Sequence, residues 1–367
     1  MLKYWEKSVV ENNSKLTQLI QPRNVACPLF LCLILLLRAR CALAPTRRPA
    51  SIHRVAWLAL LGLLLALPAS AASYDLPPDG IDLVGAPAMV RAAAEDTLLD
   101  IARRHGLGYD AVLRANAGID PWLPGAGTRV ALPGQHLLPE GSRVGIVINL
   151  PEMRLYHFTR PDATRPARVE TYPIGIGKAG WCPVGLRTEV GDKITDPVWA
   201  MPESIQQERQ LAAGSATVVP PGPDNPLGRY ALRLGQTPYL IHGTNRKYGI
   251  GMRVSHGCIR LYPEDIEVLF RTVAVGTPVR VEHQPYKVGW DGDTLMIEAH
   301  PPIEEHAGEA RLTTLVASVI RATEPRAAEI DWDKAFAAAR RADGMPTPIG
   351  RASVRDIQTP TPTPISP

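Results

Sequence analysis

The chain has 367 residues, 45% hydrophobic and 21% charged, which places it among globular proteins and excludes a disordered or fibrous one. Its formal charge of +4 is concentrated at the start: residues 1–72 hold nine Lys/Arg and two acids, leaving 31 basic and 34 acidic residues in the rest. The folding part is thus slightly acidic and argues for no nucleic-acid partner, and 36 prolines forecast many loops and few long helices.

Residues 1–72 read as a leader, with a signal peptide at about 51–72. Arg47, Arg48 and Arg54 precede an apolar run from Val55 to Leu67. Small residues at Ser70, Ala71 and Ala72 then suit cleavage near Ala71 or Ala72. A retained anchor is the alternative, but the run is too short to span a bilayer comfortably. The expectation is export to the periplasm with no stable membrane span left after cleavage. No cysteine directly follows the run, which argues against a lipoprotein anchor. A second apolar run, Ala26 to Leu37, lies ahead of the signal, and a start downstream of it would account for that position.

Residues 88–133 form a small α+β unit. Asp96 or Thr97 caps a helix with Leu98, Ile101 and Ala102 on one face, and Gly106 ends it. Tyr109 to Ala115 suggests a second short helix and Thr128 to Leu132 a closing strand, while the opening stretch Ala88 to Ala92 is only weakly strand-like. The run EDTLLDIARRHGLGYDAVLRANAG resembles the LysM module: Asp96-Thr97-Leu98, the pair Ile101-Ala102 and Asn116 fall where that pattern expects them. The resemblance implies binding to glycan strands containing N-acetylglucosamine. A helix-hairpin spacer without sugar affinity is the alternative.

From 143 to 282 short apolar alternations are broken by Gly and Pro. Val144 to Ile148, Leu155 to Phe158, Val169 to Ile176, Tyr230 to Leu234, Tyr239 to His242 and Val279 to Val281 read as strands. After Pro263, Ile266, Leu269, Phe270 and Val273 recur at helical spacing. This predicts a mainly β domain with one helix. Residues 283–343 read as an extension with helices near 309–322 and 331–342, and 344–367 as a disordered Pro/Thr-rich tail.

The chemistry concentrates in Ile241 to Leu261, IHGTNRKYGIGMRVSHGCIRL. A thiol must lose its proton to attack a carbonyl, and a nearby imidazole takes it at neutral pH. His242, at a strand end, precedes Cys258 by 16 positions, a separation that a loop can fold back across. Gly257 permits a backbone that aims consecutive amides at an oxyanion. A zinc site from His242, His256 and Cys258 lacks a fourth ligand, so no metal and no cofactor are expected. Of five cysteines, only Cys182 and Cys258 lie outside the leader, and a disulfide between them is the alternative to a free nucleophile. His105, His136, His157, His283, His300 and His306 read as surface or packed residues without partners suggestive of chemistry.

This segment resembles the active-site motif of the YkuD-type L,D-transpeptidases: a His-Gly pair, here His242-Gly243, then Ser255-His256-Gly257-Cys258-Ile259-Arg260. Flanking runs extend the likeness over about 143–282: Pro173 to Gly177, Gly180-Trp181, Pro183 to Gly185, and Trp199 with Pro202-Glu203-Ser204. With the LysM-like unit in front, the chain is similar to the Gram-negative ErfK/YbiS/YcfS/YnhG group. Cys182 departs from the pattern, which carries Thr there. The resemblance implies a YkuD-like β-sandwich acting on peptidoglycan tetrapeptide stems, with Cys258 as nucleophile and His242 as base. It places the oxyanion hole at the Gly257 and Cys258 amides, and gives Arg260, Ser255, His256 and Gly243 substrate-binding or loop-orienting roles. The acceptor is a second stem, giving a 3→3 crosslink, or a lysine of an outer-membrane lipoprotein. The alternatives are a hydrolase of wall crosslinks on the same scaffold and a non-catalytic peptidoglycan-binding protein.

Overall fold

The computed structural model describes residues 72–161, 166–212, 215–246, 248–309 and 311–353. The leader expectations lie outside them, except that Ala72 already belongs to a strand, Ala72–Asp75, paired with Arg168–Pro173. No helix among the described residues is long and apolar enough to cross a membrane.

Short apolar alternations make short strands, and nine of them share one sheet. In spatial order they are Ala72–Asp75, Arg168–Pro173, Arg154–Thr159, Gly145–Asn149, Pro278–Glu282, Arg187–Thr195, Tyr230–Leu234, Leu240–His242 and Ile259–Arg260. Strand Arg187–Thr195 joins two halves. Residues 187–189 pair with 278–280, and 190–195 pair with 230–234 across a bulge between Val190 and Asp192. A bulge bends a sheet and increases its twist, and the halves curl about one core. Leu155 and Tyr172 from one end join Ile241 and Ile259 from the other in a single cluster with Ile266 and Leu269 of helix Pro263–Thr272. The architecture is mainly β, with few helices.

Helix Pro263–Thr272 starts on Pro at its first position and carries Glu264 and Asp265 in its first turn. Asp265 is buried, and its Oδ2 has no hydrogen-bond partner among the described residues. Burial, reinforced by the charge of Glu264, pushes its carboxyl up to about 7. A raised carboxyl favours the protonated fold, so stability is complete below the ordinary Asp range and is lost as pH rises toward 7. Asp265→Asn should therefore raise the melting temperature clearly at about pH 8 and little near pH 4, a difference on the order of a few kcal/mol. Equal shifts at both pH values in thermal melts would exclude a protonated Asp265.

Beyond Glu282 the extension is not helical alone, as the sequence suggested. Strands Tyr286–Asp291, Thr294–Ala299, Thr347–Ala352 and Ala328–Ile330 form a sheet in that order. Helices Leu312–Thr323 and Trp332–Arg341 pack on it through Leu315, Val319, Ala335 and Ala338. The expected disordered tail is corrected over its first part. Thr347–Ala352 pairs with both Thr294–Ile297 and Ala328–Ile330 and buries Ile349. Pro348 is accommodated because the register shifts there, a position where a missing N–H is tolerated. Residues 354–367 lie outside the described residues.

Residues 88–133 fold as strand, helix, helix, strand. Ala88–Arg91 pairs antiparallel with Arg129–Leu132, and Thr97 and Asp100 close a capping box on helix Leu98–Arg104. The unit is docked on the β domain. The amides of Tyr109 and Asp110 donate to the carbonyls of Ile250 and Gly251 at 3.1 and 3.2 Å, and Tyr262 Oη donates to Leu107 O at 3.0 Å. Arg103 pairs with Glu264 and lies over the Tyr262 ring. Gly251, at φ 76°, has to be glycine, since a Cβ there would fall 2.4 Å from the Tyr109 nitrogen. This unit thus braces the loop that leads to Cys258.

Candidate active site

The edge of the large sheet brings the motif together. Leu240–His242 and Ile259–Arg260 run parallel, with Ile241 opposite Ile259 and His242 opposite Arg260. Residues opposite each other, and residues two apart along a strand, share a face. His242 and Arg260 therefore lie on the same face of the sheet, and Cys258 directly precedes the second strand, close enough to Arg260 to feel its charge.

His242 is buried, and its Nδ1 donates to the Gly243 carbonyl at 2.6 Å. That bond fixes the tautomer and leaves Nε2 as the basic nitrogen. Burial and the neighbouring Arg260 charge depress the imidazole to about 3, against a smaller upward pull from the carbonyls of Gly243 and Leu227. Burial pushes the Cys258 thiol up, opposed by Leu240 and the charge of Arg260. Thiol and imidazole are therefore both neutral at rest, and no ion pair is pre-formed.

Arg260 is half-buried, and its Nε has no hydrogen-bond partner among the described residues. Burial and the nearby Arg246 lower its affinity for its proton, so the site holds a partly desolvated cation. Such a group favours an arriving anion.

Ser255 shapes the nucleophile turn: its Oγ donates to the Cys258 carbonyl at 2.6 Å and accepts from the Gly257 amide at 3.2 Å. The oxyanion expectation changes accordingly. The Gly257 N–H is engaged within the turn, whereas the Cys258 N–H makes no hydrogen bond among the described residues. Gly257 contributes conformation instead. Its φ is 104°, and a Cβ would fall 2.7 Å from the Trp181 carbonyl oxygen and 2.8 Å from the Tyr239 ring.

His256 is turned to other partners. Its Nε2 lies 2.7 Å from Glu208, which also pairs with Lys178, and its ring meets Trp181 edge-on. It does not converge with His242 and Cys258 on a zinc position. Cys182 and Cys258 are both free thiols, which removes the disulfide alternative. Cys182 Sγ donates to the Gly177 carbonyl at 3.4 Å, and burial raises its thiol.

The remaining histidines are packed or surface residues, as expected, and most of them hold carboxylate partners that the sequence did not indicate. His157 meets Glu170 and His283 meets Glu309, each at 3.0 Å. His136 and His300 belong to a buried cluster with Glu152 and Glu298. His136, Glu152 and Glu298 stand at metal-ligand spacing, but Lys287 Nζ lies 2.7 and 3.0 Å from the two carboxylates and supplies the cation itself. These partners come from segments up to 162 positions apart, from His136 to Glu298, which no local motif reveals.

A protein-family model described as the L,D-transpeptidase catalytic domain (YkuD) matches residues 143–281. An Escherichia coli protein named "Probable L,D-transpeptidase ErfK/SrfK" is 39% identical over 311 residues, covering 82% of this chain and 98% of that protein. Two more from E. coli, "Probable L,D-transpeptidase YcfS" and "Probable L,D-transpeptidase YbiS", are each 42% identical. They cover 66% and 64% of this chain and 76% and 77% of their own lengths. With likeness along nearly the whole of one relative, the chain belongs to the L,D-transpeptidase family and carries its YkuD-type catalytic domain.

Proposed function

We propose that the protein is a periplasmic L,D-transpeptidase that acts on peptidoglycan tetrapeptide stems through a Cys258 thioester. His242 Nε2 takes the thiol proton as sulfur bonds to the carbonyl carbon at the L-centre of diaminopimelate. The Cys258 N–H steadies the oxyanion. The C–N bond to terminal D-Ala then breaks, and the proton on His242 passes to the leaving amine. An acceptor amine attacks the thioester, forming the amide and returning the proton to sulfur. Arg260 receives a carboxylate of the donor. The observation that carries this reading is the neutral, buried His242 at the end of the strand that pairs with the one Cys258 leads into, opposite an Arg260 whose Nε is unpartnered among the described residues.

The acceptor is another stem or a lipoprotein lysine. Mass spectrometry of muropeptides after incubation with purified enzyme tests the reading: new 3→3 dimers or lysine-linked stems support transfer. Free tripeptides without new dimers would make it a hydrolase.

Residues 88–133 serve as a LysM-like glycan-binding unit, supported by Trp122 and Leu123, 54% and 68% exposed, near its second helix. Because the unit braces the loop at 250–251, deleting it would disturb catalysis as well as binding. Trp122→Ala is the cleaner variant: retention on isolated sacculi should fall several-fold, while turnover of a soluble tetrapeptide stays within about two-fold, as expected when binding only supplies local concentration. Unchanged retention would make the unit a spacer.

A further inference from the structure

The wall that confines Gly257 is the turn from Gly177 to Cys182. A Cβ on Gly177 would come within 3.2 Å of Gly257 Cα, and the Trp181 carbonyl faces Gly257 directly. The turn has few bonds of its own: Lys178 N donates to Ser255 O at 2.9 Å, and Trp181 N to Lys178 O at 3.1 Å. Lys178 also pairs with Glu208, the Trp181 ring meets His256 and Cys182 Sγ donates to Gly177 O, while a further set of ties runs to a residue outside the matched catalytic domain, Glu305, on the 3-10 turn Glu304–Glu309 of the C-terminal extension. Gly180 N–H donates to Glu305 Oε1 at 3.1 Å. One Arg253 nitrogen donates to both Glu305 oxygens at 2.9 and 2.8 Å, while Arg253 Nε donates to the Gly177 carbonyl at 3.1 Å. Both side chains are only about one-fifth exposed, so this charge-assisted set outweighs an ordinary surface pair. Arg253 also opens the strand that ends at Ser255, whose hydroxyl organises the Cys258 turn.

We propose that Glu305 is a positioning residue for acyl transfer. It ties the Gly177–Cys182 turn to the Arg253–Ser255 strand, and thereby holds Gly257 and the Cys258 N–H in the geometry that receives the oxyanion. The role rests on Cys258 being the nucleophile. It gives the C-terminal extension a part in catalysis, although none of its residues touches the reacting atoms.

Two reactions of the same thiol separate positioning from folding. Acylation by a soluble tetrapeptide or a carbapenem passes through an oxyanion. Alkylation by iodoacetamide forms a C–S bond with loss of iodide and needs no oxyanion donor. Glu305→Ala should lower kcat for acylation by roughly 10–100-fold, as small misplacements of catalytic groups do. KM and the iodoacetamide rate should stay within about two-fold, since neither depends on oxyanion geometry. Glu305→Gln, which keeps an acceptor for Gly180 but loses the charge pairing with Arg253, should fall between and serves if the alanine variant does not fold. Acylation at the wild-type rate in these variants would overturn the proposal. A parallel fall of acylation and alkylation would overturn it too, since the thiol rather than the oxyanion site would then be affected. If the wild type itself gave no adduct on Cys258, the nucleophile assignment would fail instead.

Discussion

His242→Ala should slow Cys258 acylation by about 10²–10⁴-fold, the usual loss on removing a general base, while His256→Ala costs several-fold. A base must keep its place relative to the nucleophile, which favours a ring held by the sheet. His242 meets that condition through its Nδ1 bond to Gly243 and its position opposite Arg260. His256 is engaged with Glu208 and sits on the turn that carries the thiol. The resting pair also fixes the pH dependence. With His242 depressed to about 3 and the Cys258 thiol raised, both are neutral across the physiological range. Stopped-flow acylation should therefore show no acid limb near the ordinary histidine value of about 6.5. The stability sign follows from the same shift: a depressed histidine favours the fold above its unfolded value, and that contribution is lost as pH falls through 6.5 toward 3. If an acid limb at about 6.5 were seen, and His256→Ala removed it while His242→Ala kept it, the base would be His256.

Cys258→Ala should abolish acyl-enzyme formation altogether, whereas Cys182→Ser should keep most of the activity. Cys258 leads into the strand paired with that of His242 and lies near Arg260, with its own N–H unengaged among the described residues. Cys182 donates its S–H to the Gly177 carbonyl on the wall of the turn, and burial keeps it protonated. Replacement by serine preserves that donor. Comparable losses in both variants, measured as adduct formation by intact-protein mass spectrometry, would point to a two-thiol mechanism.

The parts legible in the sequence were those set by local pattern. The apolar alternations at 145–149, 154–159 and 230–234, and the helix opened by Pro263, follow from periodicity and capping. The Ser255-to-Arg260 run placed the nucleophile turn. Less legible was whatever depends on distant partners. Strand Arg187–Thr195 hides because Gly191 and the outward Glu189 and Asp192 break its apolar alternation, although it joins the two halves of the sheet. Strands Tyr286–Asp291 and Thr294–Ala299 flank a Gly292-Asp293 turn and could have been read as a hairpin. Thr347–Ala352 looked like a tail because Pro and Thr dominate it, and only pairing on both sides makes it a strand. The reach of Glu305 from the extension to Arg253, 52 positions away, is a tertiary fact that no spacing encodes.

The most direct measurement is peptide-mapped mass spectrometry of the purified enzyme mixed with a soluble tetrapeptide stem, sampled early. The expected result is a tripeptide acyl group on Cys258 with D-Ala released, and the same site taken by a carbapenem. Correctly folded protein that turns the stem over, yet carries the acyl group on another residue or on none, would contradict it.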